Sequence, residues 1–215
     1  ARHAAHEAVT HHDVKAVEYY IDDYLDSAEQ VLGAPTQLTD LKTLVHFACT
    51  SEDINNLSIA RCVKNAIEHV WLPGADAIVD LLAQRAEEFK DMPLLSLTHG
   101  QPATPTTLGK ELAVYVYRLG RQLKHVREQE YLGKINGATG TFGAHLAALP
   151  NVDWVAVSRE FVENRMGLTW NPLTTQIESH DWQAELFDTI SHTNRIMHNP
   201  VSYTHLRAHE TRSNL

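Results

Sequence analysis

The sequence predicts an all-α protein built as a bundle of long helices, and three observations support this prediction. Apolar residues recur at steps of three and four, the period of a helix, over segments longer than most globular helices. Stretches that alternate apolar and polar residues, as half-buried strands do, are scarce. A chain of 215 residues, of which 43% are hydrophobic, can also bury a sizeable core.

The first long helix is predicted to begin at Thr50, whose side chain can cap it, with Asp53 favouring the positive end of the helix. Pro73 and Gly74 lie inside the apolar stripe, and proline removes a backbone donor and clashes with the preceding turn. We therefore expect a kink or an interruption there. The stripe comprises Ile54, Leu57, Ala60, Val63, Ile67, Val70, Ile78, Leu81 and Leu82.

The second long helix is predicted over about residues 106–131. Pro102 and Pro105 stand just ahead of it, where a helix tolerates proline. Long stripes of this kind are typical of a bundle that also buries a face against other subunits. The stripe of this helix comprises Leu108, Leu112, Val116, Leu119, Leu123 and Val126.

A third helix is predicted over residues 176–197, with Ile177, Ala184, Phe187 and Ile190 facing inward. Residues 198–215 break this stripe and resemble a translated sequencing adapter, so we expect a non-native tail. The alternative is an ordinary polar C-terminal tail. The truncated N-terminal helical part is expected over residues 1–95, and the first part of a central bundle domain over residues 96–197.

Composition excludes several functional classes. The formal net charge of -9 makes the chain a poor binder of nucleic acid, which needs a basic surface. No apolar run approaches the roughly 20 residues that cross a bilayer. Cys49 and Cys62 form neither a CxxC pair nor a zinc spacing. We expect two reduced, mostly buried thiols in a cytoplasmic protein.

The chain contains 14 histidines, so clusters arise by chance. His3 and His6 are three residues apart, while His11, His12 and Asp13 are adjacent. Adjacent residues on one element rarely converge on a metal ion, and no H-E-x-x-H motif is present. We therefore expect no metal site.

His99 stands in a polar, proline-rich loop, residues 98–105, just ahead of the second long helix. Gly100 allows close backbone approach, and the prolines stiffen the loop. An imidazole with an ordinary pKa of about 6.5 can donate or accept a proton near neutral pH. From the residues alone, a structural turn histidine and a catalytic histidine both remain open.

Two further loops interrupt the helices, residues 133–143 and residues 170–176. The first is rich in glycine but matches neither a dinucleotide fingerprint nor a P-loop, so a turn between helices is its ordinary interpretation. Lys15, Lys110 and Glu111 are expected on helix surfaces. No G-x-S-x-G nucleophile elbow is present, so serine hydrolase chemistry lacks support.

Four blocks, in order along the chain, resemble the bacterial adenylosuccinate lyases of the fumarase/aspartase superfamily. The third block distinguishes them from their superfamily relatives, whose equivalent loop typically begins T-H-L-Q. The resemblance runs from about residue 7 to about residue 197. The blocks are T-H-H-D-V-K-A-V-E-Y at residues 10–19, H-F-A-C-T-S-E-D-I-N-N at residues 46–56, T-H-G-Q-P-A-T-P at residues 98–105 and W-N-P-L-T-T-Q-I-E at residues 170–178.

The resemblance implies β-elimination of fumarate from adenylosuccinate, giving AMP, and from the succinylated aminoimidazole carboxamide ribotide. It implies no metal or redox cofactor, a small nucleotide substrate, and a homotetramer in which three subunits build each active site. His99 corresponds to the general acid, and Thr98 lies beside it. The other positions that correspond to substrate-binding residues are His11, where many relatives carry asparagine, and His12, Asp13, Thr50, Ser51 and Gln176.

The family's base is a serine in a G-S-S-x-M-P-H-K-x-N-P loop, and no such loop occurs in this sequence. We therefore expect the 215-residue chain alone to be inactive. The competing interpretations are a lyase acting on another succinyl amine, a non-catalytic helical scaffold and a metal-binding module. A scaffold would not need the polar side chains that residues 98–104 and 174–176 retain.

Overall fold

The computed structural model describes the backbone of residues 2–213 and the side chains of residues 4–199. Helices dominate this part of the chain, which confirms the all-α prediction. Residues 214–215, and the side chains of the expected tail from residue 200 onward, lie outside what is described. The helices are α1 (Arg2–Thr10), α2 (Asp13–Asp26), α3 (Ala28–Leu32), α4 (Ser51–Ala66), α5 (Leu72–Glu88), α6 (Leu108–Arg127), α7 (Gly143–Ala148), α8 (Trp154–Glu160) and α9 (Asp181–Ser213).

The described strands are only two residues long and form three separate pairs. Two pairs are antiparallel and lie ahead of α6, while the third is parallel and joins the two remaining loops. Such short ladders fasten loops rather than build a sheet. The strands are β1 (Pro93–Leu94) with β4 (Thr106–Thr107), β2 (Leu97–Thr98) with β3 (Gln101–Pro102), and β5 (Leu132–Gly133) with β6 (Thr169–Trp170).

The chain divides into two compact units, each discontinuous in sequence. Unit 1 combines the residues up to Cys62 with Tyr131–Ser179, and unit 2 combines Val63–Glu130 with the residues from His180 onward. The domain boundary expected between residues 95 and 96 concerns the longer family proteins and stays a prediction.

In unit 2, α6 packs against α5 and α9. The Thr107 side chain caps α6 by accepting from the Lys110 backbone N–H at 3.2 Å. A Cβ added to Gly109 would lie 2.2 Å from the Ala86 carbonyl oxygen, so only glycine permits this helix contact. The predicted apolar stripe of α6 is confirmed most clearly in its second half, where the buried residues are Leu119, Leu123 and Val126.

The interruption expected at Pro73 is present as a π-helical turn at Ile67–Trp71. Proline lacks the N–H that would bond to the carbonyl four residues earlier, and a wider turn accommodates this loss. Because an extra residue shifts the helical repeat by about 100°, one stripe cannot continue through it. Beyond the turn, Ala75 is the buried apolar residue of α5, whereas Ile78 and Leu81 are exposed, so this part of the predicted stripe does not pack within the single chain.

The third helix begins at Asp181, five residues later than predicted, and its backbone continues to Ser213. Ile177 precedes the helix, and Phe187 is 53% exposed, so the predicted inward face is wrong. Ala184, on the same predicted face, is exposed as well. The buried face of the helix includes Trp182, Leu186, Thr193 and Ile196.

Candidate functional site

The N-terminus of α4 in unit 1 is organised around the fully buried carboxylate of Asp53. Its Oδ2 accepts from the Thr50 backbone N–H at 2.9 Å. This is the return bond of a capping box, in which an acidic side chain at the third position of the helix accepts from the backbone N–H of the capping residue. Because the bond uses the backbone of Thr50, it does not occupy the Thr50 hydroxyl.

The same carboxylate also binds the glycine loop, residues 133–143. Asp53 accepts from the backbone N–H groups of Asn136 and Gly137, each at 3.1 Å. The Lys134 ammonium lies 2.8 Å from Asp53 Oδ1, and neither side chain has any exposed surface. A buried charge is tolerated only when it is paired and hydrogen-bonded, and this pair meets both conditions.

Asn56, one turn further along α4, holds the backbone of Lys134 at both of its polar groups. The Asn56 amide donates to the Lys134 carbonyl at 3.0 Å, and its carbonyl accepts from the Lys134 N–H at 2.9 Å. Because one side chain pairs with both groups, the loop is fixed in register against α4.

The glycine loop in turn packs against the segment that carries Gln176. Gly140 has a φ of 71°, and an added Cβ would lie 2.2 Å from the Thr174 carbonyl oxygen. Asn136 donates from its amide to the Thr174 hydroxyl at 2.7 Å. Gln176 then donates to the Thr50 hydroxyl at 3.2 Å, which closes a ring of contacts back to α4.

The third part of this cluster is the N-terminus of α2. His12 caps α2, with its Nδ1 accepting from the Lys15 N–H at 3.3 Å. In the neutral ring the proton then sits on Nε2, which lies 3.3 Å from the Ser51 hydroxyl. Asp13 accepts from Asn55 on α4 at 3.5 Å.

Five of the predicted substrate-binding residues thus meet in unit 1, at the N-termini of α2 and α4. The polar groups of Thr50, Ser51, His12 and Gln176 contact one another in pairs, and Asp13 joins them through Asn55. His11 neighbours them in sequence, is exposed, and has a φ of 51°. A helix N-terminus surrounded by hydroxyl, amide and imidazole groups can bind a carboxylate.

His99 lies in unit 2, at the tip of the hairpin formed by β2 and β3. Thr98 pairs with Gln101, so His99 and Gly100 form a two-residue turn. Both have positive φ, 50° and 74°, as a type I′ hairpin turn requires. The imidazole is exposed and has no hydrogen-bond partner among the side chains described. Nothing in the hairpin therefore occupies its two nitrogens.

The residues expected on helix surfaces lie there. The Lys15 ammonium pairs with Glu18 on the same helix, and this hydrogen bond raises the pKa of Lys15. Lys110 pairs with the neighbouring Glu111 at 3.1 Å. The Lys110–Glu111 contact is an ordinary surface ion pair, which contributes little to stability. Glu18 is more buried, because its side chain is 13% exposed and also pairs with His46.

The two cysteines differ in their environment. Cys49 is half-buried, and burial, followed by the charge of Asp53, raises the pKa of its thiol to about 11. Cys62 is exposed, so the expectation that both thiols are mostly buried is wrong for this residue. Cys62 lies on a face of α4 that does not pack, because the buried positions of this helix include Asp53, Leu57 and Ala60.

One buried histidine was not expected from the sequence. His145 on α7 packs edge-on against Phe142 and Trp154, with ring centroids 5.6 and 4.9 Å away. Burial disfavours the charged ring and lowers the pKa of His145. It borders an apolar cavity of about 130 Å³ that Ile135 and Phe161 also line.

Sequence reasoning also missed Lys134, Asn56 and Asn136, the residues that fasten the glycine loop. Lys134 did carry a signal, since it is the only Asp, Glu, Lys or Arg within residues 131–143. A single charge in an otherwise uncharged, glycine-rich segment needs a partner when the segment is buried. Asn56 and Asn136 gave no comparable signal, because asparagine is common in loops and on helix surfaces.

The described residues contain neither a membrane-spanning helix nor a group of side chains suited to a metal ion. No helix in this part of the chain is long and apolar enough to span a membrane. Among the same residues, no three His, Cys, Asp or Glu side chains are grouped so that they could hold a metal ion.

Comparison with known proteins gives a consistent set of similarities. Residues 4–199 match the family described as Lyase. Over 191 residues, 89% of this chain, the sequence is 49% identical to the adenylosuccinate lyases of Vibrio cholerae and Haemophilus influenzae and 50% identical to that of Escherichia coli K12. The chain spans about 40% of the length of each of these relatives.

Proposed function

The chain belongs to the lyase family, the all-helical fumarase/aspartase superfamily, and on this premise we propose that it is part of an adenylosuccinate lyase. The observation that carries the proposal is the sequence identity of 49–50% to enzymes of that name over 191 residues, 89% of the chain. The reaction is the elimination of fumarate from adenylosuccinate, and from the succinylated aminoimidazole carboxamide ribotide, in purine nucleotide biosynthesis.

In the proposed reaction a base removes a proton from the carbon next to a succinyl carboxylate. The electrons of that bond form the carbon–carbon double bond of fumarate, and the carbon–nitrogen bond breaks. The departing nitrogen takes a proton from His99. The exposed imidazole at the hairpin tip supports this role, because a general acid needs a proton that no other group holds.

The residues of unit 1 are proposed to bind the substrate. Thr50 and Ser51 would hold a succinyl carboxylate, since α4 is a helix of 16 residues and its N-terminus favours an anion. Gln176 would donate to the substrate from its place beside Thr50, and His11, His12 and Asp13 would bind the nucleotide. Thr98, next to His99, would hold substrate near the acid.

The resemblance also supports an assembly and a location, which we propose with the activity. The protein would act as a homotetramer in which three subunits contribute to each active site. Its two cysteines are free thiols, and this is typical of a protein of the reducing cytoplasm. The proposed chemistry uses no metal or redox cofactor.

A graft into a complete relative tests the activity. Residues 4–199 would replace the matching segment of the Escherichia coli enzyme, which is 50% identical to this chain over 191 residues. Purified graft should release fumarate from adenylosuccinate, measured by chromatography of both products. Release from a different succinyl amine, and none from adenylosuccinate, would show that the substrate assignment is wrong.

The His99→Asn variant of the graft tests the proposed acid. Asparagine tolerates positive φ as histidine does, so the turn should form, but its amide cannot transfer a proton. We expect kcat to fall by roughly 10²–10⁴-fold. The matched control is His69→Asn, on the π-helical turn of the same unit, which should leave kcat unchanged. Equal activity of the two variants would remove His99 from the acid role.

A further inference from the structure

We infer that the buried Asp53–Lys134 ion pair positions the N-terminus of α4 to receive the substrate carboxylate, a role that rests on the proposed function. The two side chains lie 2.8 Å apart and have no exposed surface. Neither residue touches substrate in this assignment. Both act through the backbone and side chains that they hold in place.

Burial of this pair is not explained by stability. Removing two charges from water costs free energy that their attraction rarely exceeds, and apolar residues of similar volume are often as stabilising. Asp53 could cap α4 equally well as an exposed residue, as acidic capping residues commonly do. A pair retained inside unit 1 in spite of that cost is therefore better explained by what it holds.

The pair holds two segments at once. Asp53 accepts from the N–H of Thr50 on α4 and from the N–H groups of Asn136 and Gly137 in the glycine loop. Lys134 adds a weaker contact to the Gly137 carbonyl at 3.4 Å. A neutral side chain could not accept so many donors, because a carboxylate has two oxygens and no proton to donate.

These bonds belong to a closed ring of contacts that includes the proposed binding residues Thr50 and Gln176. Asn136 continues from the carboxylate to the Thr174 hydroxyl, and Gln176, two residues further along the chain, donates to Thr50. Thr50 is itself fixed by Asp53 through its backbone. Loosening the ion pair therefore displaces Thr50 and Gln176 together.

The positive charge of Lys134 has a second effect, which is to neutralise the carboxylate of Asp53. Asp53 lies in the first turn of α4, where an unpaired carboxylate would repel an arriving anion. The ammonium of Lys134 neutralises it at close range. The positive end of α4 then remains available to an anionic ligand.

Lys134→Met tests the inference in the graft defined above. Methionine approximates the lysine side chain in volume but leaves Asp53 without its counter-charge. We expect KM for adenylosuccinate, and the inhibition constant for fumarate, to rise roughly tenfold or more, because an unpaired charge acts strongly in a partly buried site. We expect kcat to stay within a few-fold, since His99 is untouched.

The matched control is Lys42→Met, which removes a partly exposed lysine paired with Asp26 at 2.7 Å in the same unit. It should leave KM unchanged. Hydrogen exchange in the 215-residue chain provides the readout of position: Lys134→Met should speed exchange of the Thr50, Asn136 and Gly137 amides, while Lys42→Met should not.

Failure of the two ideas can be told apart. A graft with lysine at position 134 that releases no fumarate would overturn the proposed function, whatever the variants do. A folded Lys134→Met graft with unchanged KM and inhibition constant would overturn only the positioning role. If Lys134→Met does not fold, the charge-neutral double variant Asp53→Asn/Lys134→Met takes its place. It lacks the unpaired carboxylate, so KM should rise by a smaller factor, through the loss of the bonds that position Thr50 and Gln176. An unchanged KM in a folded double variant would overturn the positioning role. Failure of both variants to fold would also overturn the inference, because the pair would then serve the fold.

Discussion

Replacing Gly140 with alanine is expected to destabilise unit 1 by about 3 kcal/mol, through two separable effects. The first is conformational, because a φ of 71° costs an L-residue other than glycine roughly 1–2 kcal/mol. The second is steric. The new Cβ would lie 2.2 Å from the Thr174 carbonyl oxygen and 2.9 Å from that of Thr175. Both are backbone atoms, so relief requires movement of the chain, and overpacking of this kind costs typically about 1–3 kcal/mol.

Gly33→Ala is the matched control, since it isolates the conformational effect. Gly33 has a φ of 67°, lies in the same unit, and its added Cβ would meet no atom within 4 Å. It should cost only about 1 kcal/mol, the strain of positive φ less the reduced entropy of the unfolded chain. The difference between the two variants, about 2 kcal/mol, measures the contact of the glycine loop with the Gln176 segment.

The assay is urea unfolding followed by hydrogen exchange and mass spectrometry. Peptides from residues 131–179 report unit 1 separately from unit 2, so that a shift in the midpoint can be assigned. Equal free energies of unfolding for Gly140→Ala and Gly33→Ala would refute the reasoning. The loop would then accommodate a Cβ at position 140 without the clash with the Thr174 carbonyl oxygen.

Two further predictions concern titrating groups. Given the pKa of about 11, only about one Cys49 thiol in a thousand should be ionised at pH 8. Iodoacetamide should therefore label the exposed Cys62 long before Cys49, as measured by peptide mapping. Equal labelling rates would contradict this prediction. The pKa of His145 is lowered by burial, so the folded chain binds fewer protons there than the unfolded chain, whose imidazole titrates near 6.5. Above about pH 6.5 His145 is neutral in both states and does not change the free energy of unfolding. As the pH falls from 6.5 to the lowered pKa, the free energy of unfolding should decrease by at most about 1.4 kcal/mol per pH unit. His145→Phe should flatten this part of the stability–pH curve, and an unchanged slope in the variant would show that His145 does not titrate there.

The sequence predicted those helices and loops that are marked by residues close together in the chain. The apolar stripe of α6 has an unbroken helical period and stands just after Pro102 and Pro105, and this predicted the helix to within four residues at each end. Pro73 predicted an interruption because its effect on the preceding turn is a property of one residue. The loops that carry His99 and Gln176 were likewise evident from composition.

What the sequence could not predict depends on contacts between distant segments. Lys134 and Asp53 are 81 positions apart, and neither residue indicates its partner without the fold. The inward face of α9 was predicted wrongly because apolar residues lie on more than one face of this helix, and which face packs depends on the elements that contact it. The sequence predicted a loop at His99 but not the hairpin, because no sequence pattern indicates that a histidine will adopt positive φ.

The most direct test of the account is a structure of the active graft with adenylosuccinate bound, trapped by the His99→Asn substitution. The proposed acid requires the side-chain nitrogen at position 99 to lie within about 3.2 Å of the nitrogen that links succinate to the purine, or to reach it through one water. The account also predicts a succinyl carboxylate on the Thr50 and Ser51 hydroxyls. A bound nucleotide whose linking nitrogen lies far from position 99, with no water between them, would contradict the account.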